Sequence, residues 1–265
     1  MTYQNKMGRA YSPSMGFYLN NSNGIATSST TYVDSAGIRL LIDKDDYNPT
    51  VRFRLRVYWK NTGANDNSII VRDQDAGTNI ATSEVTTTMG VADTLEISES
   101  ADFEVPTSGI RRYGFQYKAS AGTMTILAVE LVVAQDGSRR GIVASYTLPR
   151  INFATTSTTG AVIGWTDFLC DIDSWPDSTK ARITVDWTTT TTGGTINCDL
   201  WDQFGASEVP DSELSETITT GGTYQISRTA TPFDLITGLT SYMIRFWGTI
   251  GNKKIANVQV DLILE

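Results

Sequence analysis

The sequence predicts an all-β protein built as two tandem, homologous antiparallel β-sandwich domains of jelly-roll type, from an internal duplication. Three observations predict this. The first is repetition. Leu41-Ile-Asp-Lys-Asp-Asp-Tyr47 and Arg54-Leu-Arg-Val-Tyr-Trp59 return as Leu169-Cys-Asp-Ile-Asp-Ser-Trp175 and Arg182-Ile-Thr-Val-Asp-Trp187, at one offset (187 − 59 = 128). Further on, Val71-Arg-Asp-Gln74 meets Leu200-Trp-Asp-Gln203 (203 − 74 = 129), and Tyr113-Gly-Phe-Gln-Tyr117 meets Tyr242-Met-Ile-Arg-Phe246. The second is alternation: Val51-Arg-Phe-Arg-Leu-Arg-Val-Tyr-Trp59 places an apolar residue at every other position, the period of a half-buried strand. The third is punctuation. Asn61-Thr-Gly63, Ala121-Gly122, Thr192-Gly-Gly194, Gly221-Gly222 and Gly251-Asn252 separate short apolar runs, and no segment holds a helical period of useful length.

Taken in order, residues 1–15 read as an N-terminal arm, with Lys6 and Arg9 and no acidic residue. Domain 1 spans 16–135. Its strands are Val51–Trp59, with Val51, Phe53, Leu55, Val57 and Trp59 inward, then Ser68–Arg72, Thr94–Ser98, Tyr113–Tyr117 and Thr125–Val133. The last two are expected to pair as a hairpin with its tip at 119–122. Residues 136–144, Asp136-Gly-Ser-Arg-Arg-Gly141 among them, form a short polar linker. Domain 2 spans 145–265 and repeats the pattern, with its closing hairpin turning at 248–252. The abundance of threonine suits polar sheet faces.

Composition narrows the function. The chain of 265 residues carries a net charge of −8, which opposes general nucleic-acid binding and docking on anionic lipid. No apolar run is long enough for a transmembrane helix, and Met1–Ala10 lacks a signal core. Synthesis in a cytoplasm, with no nucleic-acid or membrane partner, is the expectation. Histidine is absent, which removes the commonest general base and metal ligand and makes a Ser-His-Asp arrangement impossible. No phosphate loop, dinucleotide fingerprint or nucleophile elbow is present. A carboxylate pair of the glycosidase kind stays formally open, but nothing marks one. The protein is expected not to be an enzyme and to need no cofactor beyond a possible structural calcium. The cysteines Cys170 and Cys198 align with Ile42 and Ile69, so they read as two small buried hydrophobes rather than as a disulfide.

Two groups are candidate site residues. Asp43 and Asp45, with their counterparts Asp171 and Asp173, end the first core strand of each copy. Residues two apart on a strand share a side, so each pair could converge on Ca²⁺; the competing reading is turn capping. The second group is aromatic. Trp165, Trp175, Trp187, Trp201 and Trp247 lie in copy two, against Trp59 alone in copy one. Trp187 continues an inward strand. Trp175, its counterpart Tyr47, and Trp201, which replaces Arg72 on an outward phase, are contact or ligand candidates, for a protein surface or a sugar ring.

With tandem sandwiches, threonine-rich strands, no signal core, no catalytic set and a basic arm, the chain resembles the duplicated β-sandwich and jelly-roll virion proteins of phages and archaeal viruses. That resemblance implies a capsid, decoration, turret or spike subunit, located in the virion and partnered by copies of itself and other capsid proteins. Rigid sandwiches offer contacts that symmetry multiplies. The alternative is a tandem carbohydrate- or receptor-binding module of lectin-like type, binding surface glycan.

Overall fold

A computed structural model describes residues 14–18, 25–35, 39–47, 49–106, 108–134, 141–148, 153–162 and 168–264. The chain divides into two compact units, within residues 10–138 and 139–265. The first holds β1 (Ser14–Tyr18), β2 (Ile25–Thr27), β3 (Val33–Asp34), β4 (Leu40–Asp43), β5 (Arg52–Asn61), β6 (Asp66–Asp73), β7 (Thr78–Asn79), β8 (Val85–Thr88), β9 (Glu96–Glu99), β10 (Ile110–Ala119) and β11 (Met124–Ala134). The second holds β12 (Gly141–Leu148), β13 (Phe153–Thr155), β14 (Ala161–Val162), β15 (Phe168–Asp171), β16 (Thr179–Thr189), β17 (Thr195–Asp202), β18 (Ser207–Glu208), β19 (Leu214–Thr217), β20 (Gln225–Arg228), β21 (Leu239–Gly248) and β22 (Lys253–Leu264).

In the first unit one sheet runs β1-β11-β5-β9, with β2 also on β11. The other runs β3-β10-β6-β7, with β4 on β10 and β8 on β6. Every pairing is antiparallel. The pairs are nested: β2 with β11, β4 with β10, β5 with β9, β6 with β8. This is the winding of a jelly roll. The second unit repeats it strand for strand: β12-β22-β16-β20 with β13 on β22, and β14-β21-β17-β18 with β15 on β21 and β19 on β17. The fold class is therefore all-β, two sandwiches with one strand order.

Alternation decides which side chains fill each core. On β5 the inward row Phe53, Leu55, Val57 and Trp59 is fully enclosed, while Arg52, Arg54, Arg56 and Lys60 face outward. Enclosing an aliphatic or Phe side chain contributes about 1.5–3 kcal/mol, so one such row outweighs the ordering of a strand end. Ile183, Val185 and Trp187 do the same on β16, against Ile244 and Phe246 of β21 and Val260 and Leu262 of β22. Cys170 and Cys198 are free thiols within this core. Burial pushes the Cys170 thiol up to about 11 and Cys198 higher still, so both are inert.

The structure departs from the sequence expectations at three places. The closing strands are not hairpins. β10 and β11 lie in opposite sheets, as do β21 and β22. Each pair sends its apolar rows inward from opposite sides of the core, and the short connection is an arch between sheets. Gly122 and Gly251 sit in these arches at φ 69° and 72°. A Cβ at Gly122 would stand 2.5 Å from Asn61 Oδ1, so position and conformation both call for glycine. Second, the strand expected over Thr94–Ser98 is β9, Glu96–Glu99, and its apolar residue lies outside the core. β9 turns Ser98 toward Trp59 and leaves Ile97 58% exposed. Third, residues 141–144 of the expected linker belong to β12 and pair with β22, and Ser14 and Met15 of the expected arm belong to β1. The rest of the arm and linker, 1–13 and 136–140, lies outside the described residues.

Candidate functional site

The acidic pairs are placed by turn chemistry. β4 ends at Asp43, and Lys44–Asp46 form a 3-10 turn, so Asp43 and Asp45 do not share one strand. Asp43 Oδ1 accepts the backbone N–H of Asp45 and of Gly109, each at 3.1 Å. In the second unit the turn is Ile172–Ser174. There Asp171 accepts the Ser174 hydroxyl at 3.0 Å, and Asp173 accepts the N–H of Gly238 at 3.1 Å. Gly238 is the counterpart of Gly109, so the clasp on that glycine passes from Asp43 to the counterpart of Asp45. Among the described residues no three His, Cys, Asp or Glu side chains gather in a metal-binding group.

Two of the three aromatic candidates belong to the cores. Tyr47 is buried, edge-on to Phe53 at 5.6 Å. Trp175 is half-buried and packs against the core of the second unit. Both follow a 3-10 turn that swings the ring back onto the sandwich, which the strand period does not foretell. Trp165 lies outside the described residues.

Trp201 is different. It points outward from β17, where it stands opposite Met243 of β21, with Asp199 opposite Arg245 and Asn197 opposite Trp247. The Arg245 guanidinium lies over the Trp201 ring at 4.0 Å from its centroid and 5.8 Å from that of Trp247, a cation–π arrangement. Its Nε donates to Asp199 Oδ1 at 2.8 Å, and its Nη2 donates to Asp199 Oδ2 and to Glu208 Oε2, the latter at 2.9 Å. Asp199 is fully enclosed. Burial pushes its carboxyl up to about 6, against the downward pull of Arg245. Sealed beneath Arg245, it cannot meet a substrate bond. Its role is to anchor the guanidinium over the Trp201 ring.

In the first unit the same outward positions carry Arg72, Ile70, Gln116 and Lys118, and the counterpart of Gly160 is Tyr32. Lys118 lies over the Tyr32 ring at 4.4 Å, and the Tyr32 hydroxyl donates to Glu84 at 2.5 Å. In the second unit a Cβ on Gly160 would stand 3.3 Å from Arg245 Cδ and 3.6 Å from Trp247 Cε3. The place that the Tyr32 ring takes in one unit is thus taken in the other by the Arg245 and Trp247 side chains, which pack against the bare Gly160 backbone.

A second contrast lies at the end of the same sheet face. Leu169, Leu239 and Phe204 are 62%, 60% and 66% exposed. Leu169 stands opposite Ser241 and Leu239 opposite Asp171, so these two are diagonal neighbours on one face, and Phe204 lies in the turn just after Gln203, whose N–H donates to the Ser241 carbonyl. Their counterparts are Leu41, which is 1% exposed, half-buried Ile110, and Asp75, ion-paired to Arg112 at 2.7 Å. Sequence reasoning singled out Trp201 but not Arg245, Asp199 or this apolar trio. The available signal was the difference between copies at outward positions.

No protein family and no curated protein matches the chain. Solved structures that it is similar to include the PBSX exported protein XepA (11% identity, TM-score 0.23, covering 91% of this chain and 87% of that one). They also include the tandem CBM22 domains of Xyn10C from Paenibacillus barcinonensis (9%, 0.27, 96% and 92%). The VP2 subviral particle of infectious bursal disease virus is among them too (10%, 0.31, 80% and 56%). At this level of likeness none of them decides the function. Among the described residues no helix is long and apolar enough to cross a membrane.

Proposed function

We propose that the protein is a non-enzymatic structural subunit of a virus particle, of capsid, decoration or spike type, that works through contacts with copies of itself and with other capsid proteins. One observation carries this. Two sandwiches share a strand order and a closed, chemically inert core, yet present different outer surfaces: Leu169, Leu239 and Phe204 stand bare where Leu41 is covered and Asp75 is ion-paired. A shell subunit needs that combination of rigid repetition and distinct contact faces. Isolated exposed leucines are ordinary, but Leu169 and Leu239 side by side on one strand face, with Phe204 exposed in the nearby turn, suit a contact surface. The fold allows such a role without dictating it, since jelly rolls serve both capsids and lectins. The net charge of −8 suits an outer surface better than a lining that faces a genome.

The test is molar mass by light scattering across a concentration series. A closed ring or higher cyclic oligomer supports the reading. A strict monomer that also fails to decorate any particle of its source overturns it.

A further inference from the structure

We infer that the outward face around Trp201, Arg245 and Trp247 is a binding site for the pyranose ring of a neutral sugar, present in the second unit and absent from the first, where Arg72 and Lys118 stand at the two tryptophan positions. The two indole rings are half-buried and lie on neighbouring strands. Trp247 is four residues beyond the residue opposite Trp201, which is about 13 Å along the strand. Arg245 fills the interval, anchored from beneath by Asp199 and from the side by Glu208.

The hydrogen-bonding inventory points outward. The core indoles of Trp59 and Trp187 spend their N–H groups on Ser98 and Ser227. The indole N–H groups of Trp201 and Trp247, the Arg245 Nη1 donors and the Asn197 amide N–H donors have no partner among the described residues, while Asn197 Oδ1 is held by Ser215. The guanidinium covers one face of Trp201, and the Trp247 ring lies further from it; indole surface beside guanidinium and amide donors and the carboxylate of Glu208 matches a sugar ring. A pyranose offers an apolar C–H face and a rim of hydroxyls that both donate and accept.

Charge and space narrow the class. Asp199, Glu208 and Arg245 together carry one net negative charge when ionised, which repels sialylated or uronic sugars and the phosphates of a nucleotide. A peptide would need free backbone groups, and those of β17 and β21 are spent on their neighbours. Gly160, with no side chain, lets Arg245 and Trp247 pack against the backbone there, whereas Tyr32 takes the matching place in the first unit.

The probes are methyl glycosides of glucose, galactose and mannose, with sialyllactose as the anionic control, titrated to about 10 mM against tryptophan fluorescence. The expected result is a saturable change with at least one neutral glycoside and none with sialyllactose. That change weakens about tenfold or more in Trp247→Ala and is abolished in Gly160→Tyr, while Lys118→Ala in the first unit leaves it intact. Melting curves of the variants establish that they are folded. Absence of a saturable change with all neutral glycosides, or a change that survives both Trp247→Ala and Gly160→Tyr in folded protein, overturns the site. Molar mass read on the same samples keeps this outcome separate from that of the virion reading, which does not require sugar.

Discussion

The buried indole of Trp187 donates to the hydroxyl of Ser227 at 2.9 Å. The pair bridges β16 and β20, and Trp59 and Ser98 form its counterpart at 3.2 Å. A ring of that size at the centre of a sandwich brings one N–H into a dry interior, and the serine on the edge strand satisfies it. Removing the acceptor leaves the donor enclosed and unpaired, which costs about 1–3 kcal/mol. Ser227→Ala is therefore expected to lower the stability of the second unit by that amount in urea unfolding. Trp187→Ala costs more, about 3–5 kcal/mol, because it opens a cavity. A Ser227→Ala protein as stable as the parent shows that the indole finds another partner.

Asp199 gives the second unit a pH response. Its carboxyl is raised from 3.8 to about 6, chiefly by burial. The folded protein therefore holds this proton more tightly than the unfolded chain does. The resulting stabilisation is fully present below pH 3.8 and is lost as pH rises through about 6. The chain has no histidine, so ordinary side chains are silent near that midpoint. Because Arg245 lies over Trp201, tryptophan emission is expected to titrate with a midpoint near 6 in the parent and to be flat through that range in Asp199→Asn. A midpoint that persists in the variant assigns the transition to another group.

The layout of the fold was legible because strand period and repetition are local signals. Val51–Trp59 declares its inward face by composition alone, and Trp59 and Trp187 declare their equivalence by spacing. What stayed hidden depended on which sheet a strand joins. Alternation in Tyr113–Tyr117 and Thr125–Val133 is the same whether the two pair or face each other across a core. Lys253 illustrates the limit differently. It is enclosed, with its Nζ donating to the Thr156 carbonyl at 3.0 Å, where the first unit buries Met124. A lysine at a strand start reads as solvated until its neighbours are known. Trp201 was legible as outward, but Arg245 and Asp199 acquire meaning only through the register that sets them opposite one another.

The Asp43 clasp yields a stability prediction with a metal control. Asp43 holds two backbone N–H groups, those of Asp45 and Gly109. Asp43→Ala frees both at once and is expected to cost about 1–2 kcal/mol, as for lost caps. Asp43→Asn retains an acceptor and costs less. Melting with calcium and with a chelator is expected to coincide, because the carboxylate already serves the turn. A rise in melting temperature with calcium that disappears in Asp43→Ala restores the metal reading of this residue.

The apolar trio supplies the sharpest check on assembly. Leu169 and Leu239 stand largely in solvent at one end of a sheet face, so a charge there removes no core packing. Leu169→Asp and Leu239→Asp are each expected to change stability by less than about 0.5 kcal/mol, the range of surface substitutions. If this end of the face joins subunits, each charge must be desolvated in the contact, and the double variant is expected to run at the mass of one chain where the parent runs as an oligomer. Light scattering at matched concentrations reads this directly. An oligomer that persists in the folded double variant moves the contact elsewhere, and the next candidate is the edge at β9, where Leu95 and Ile97 are also exposed.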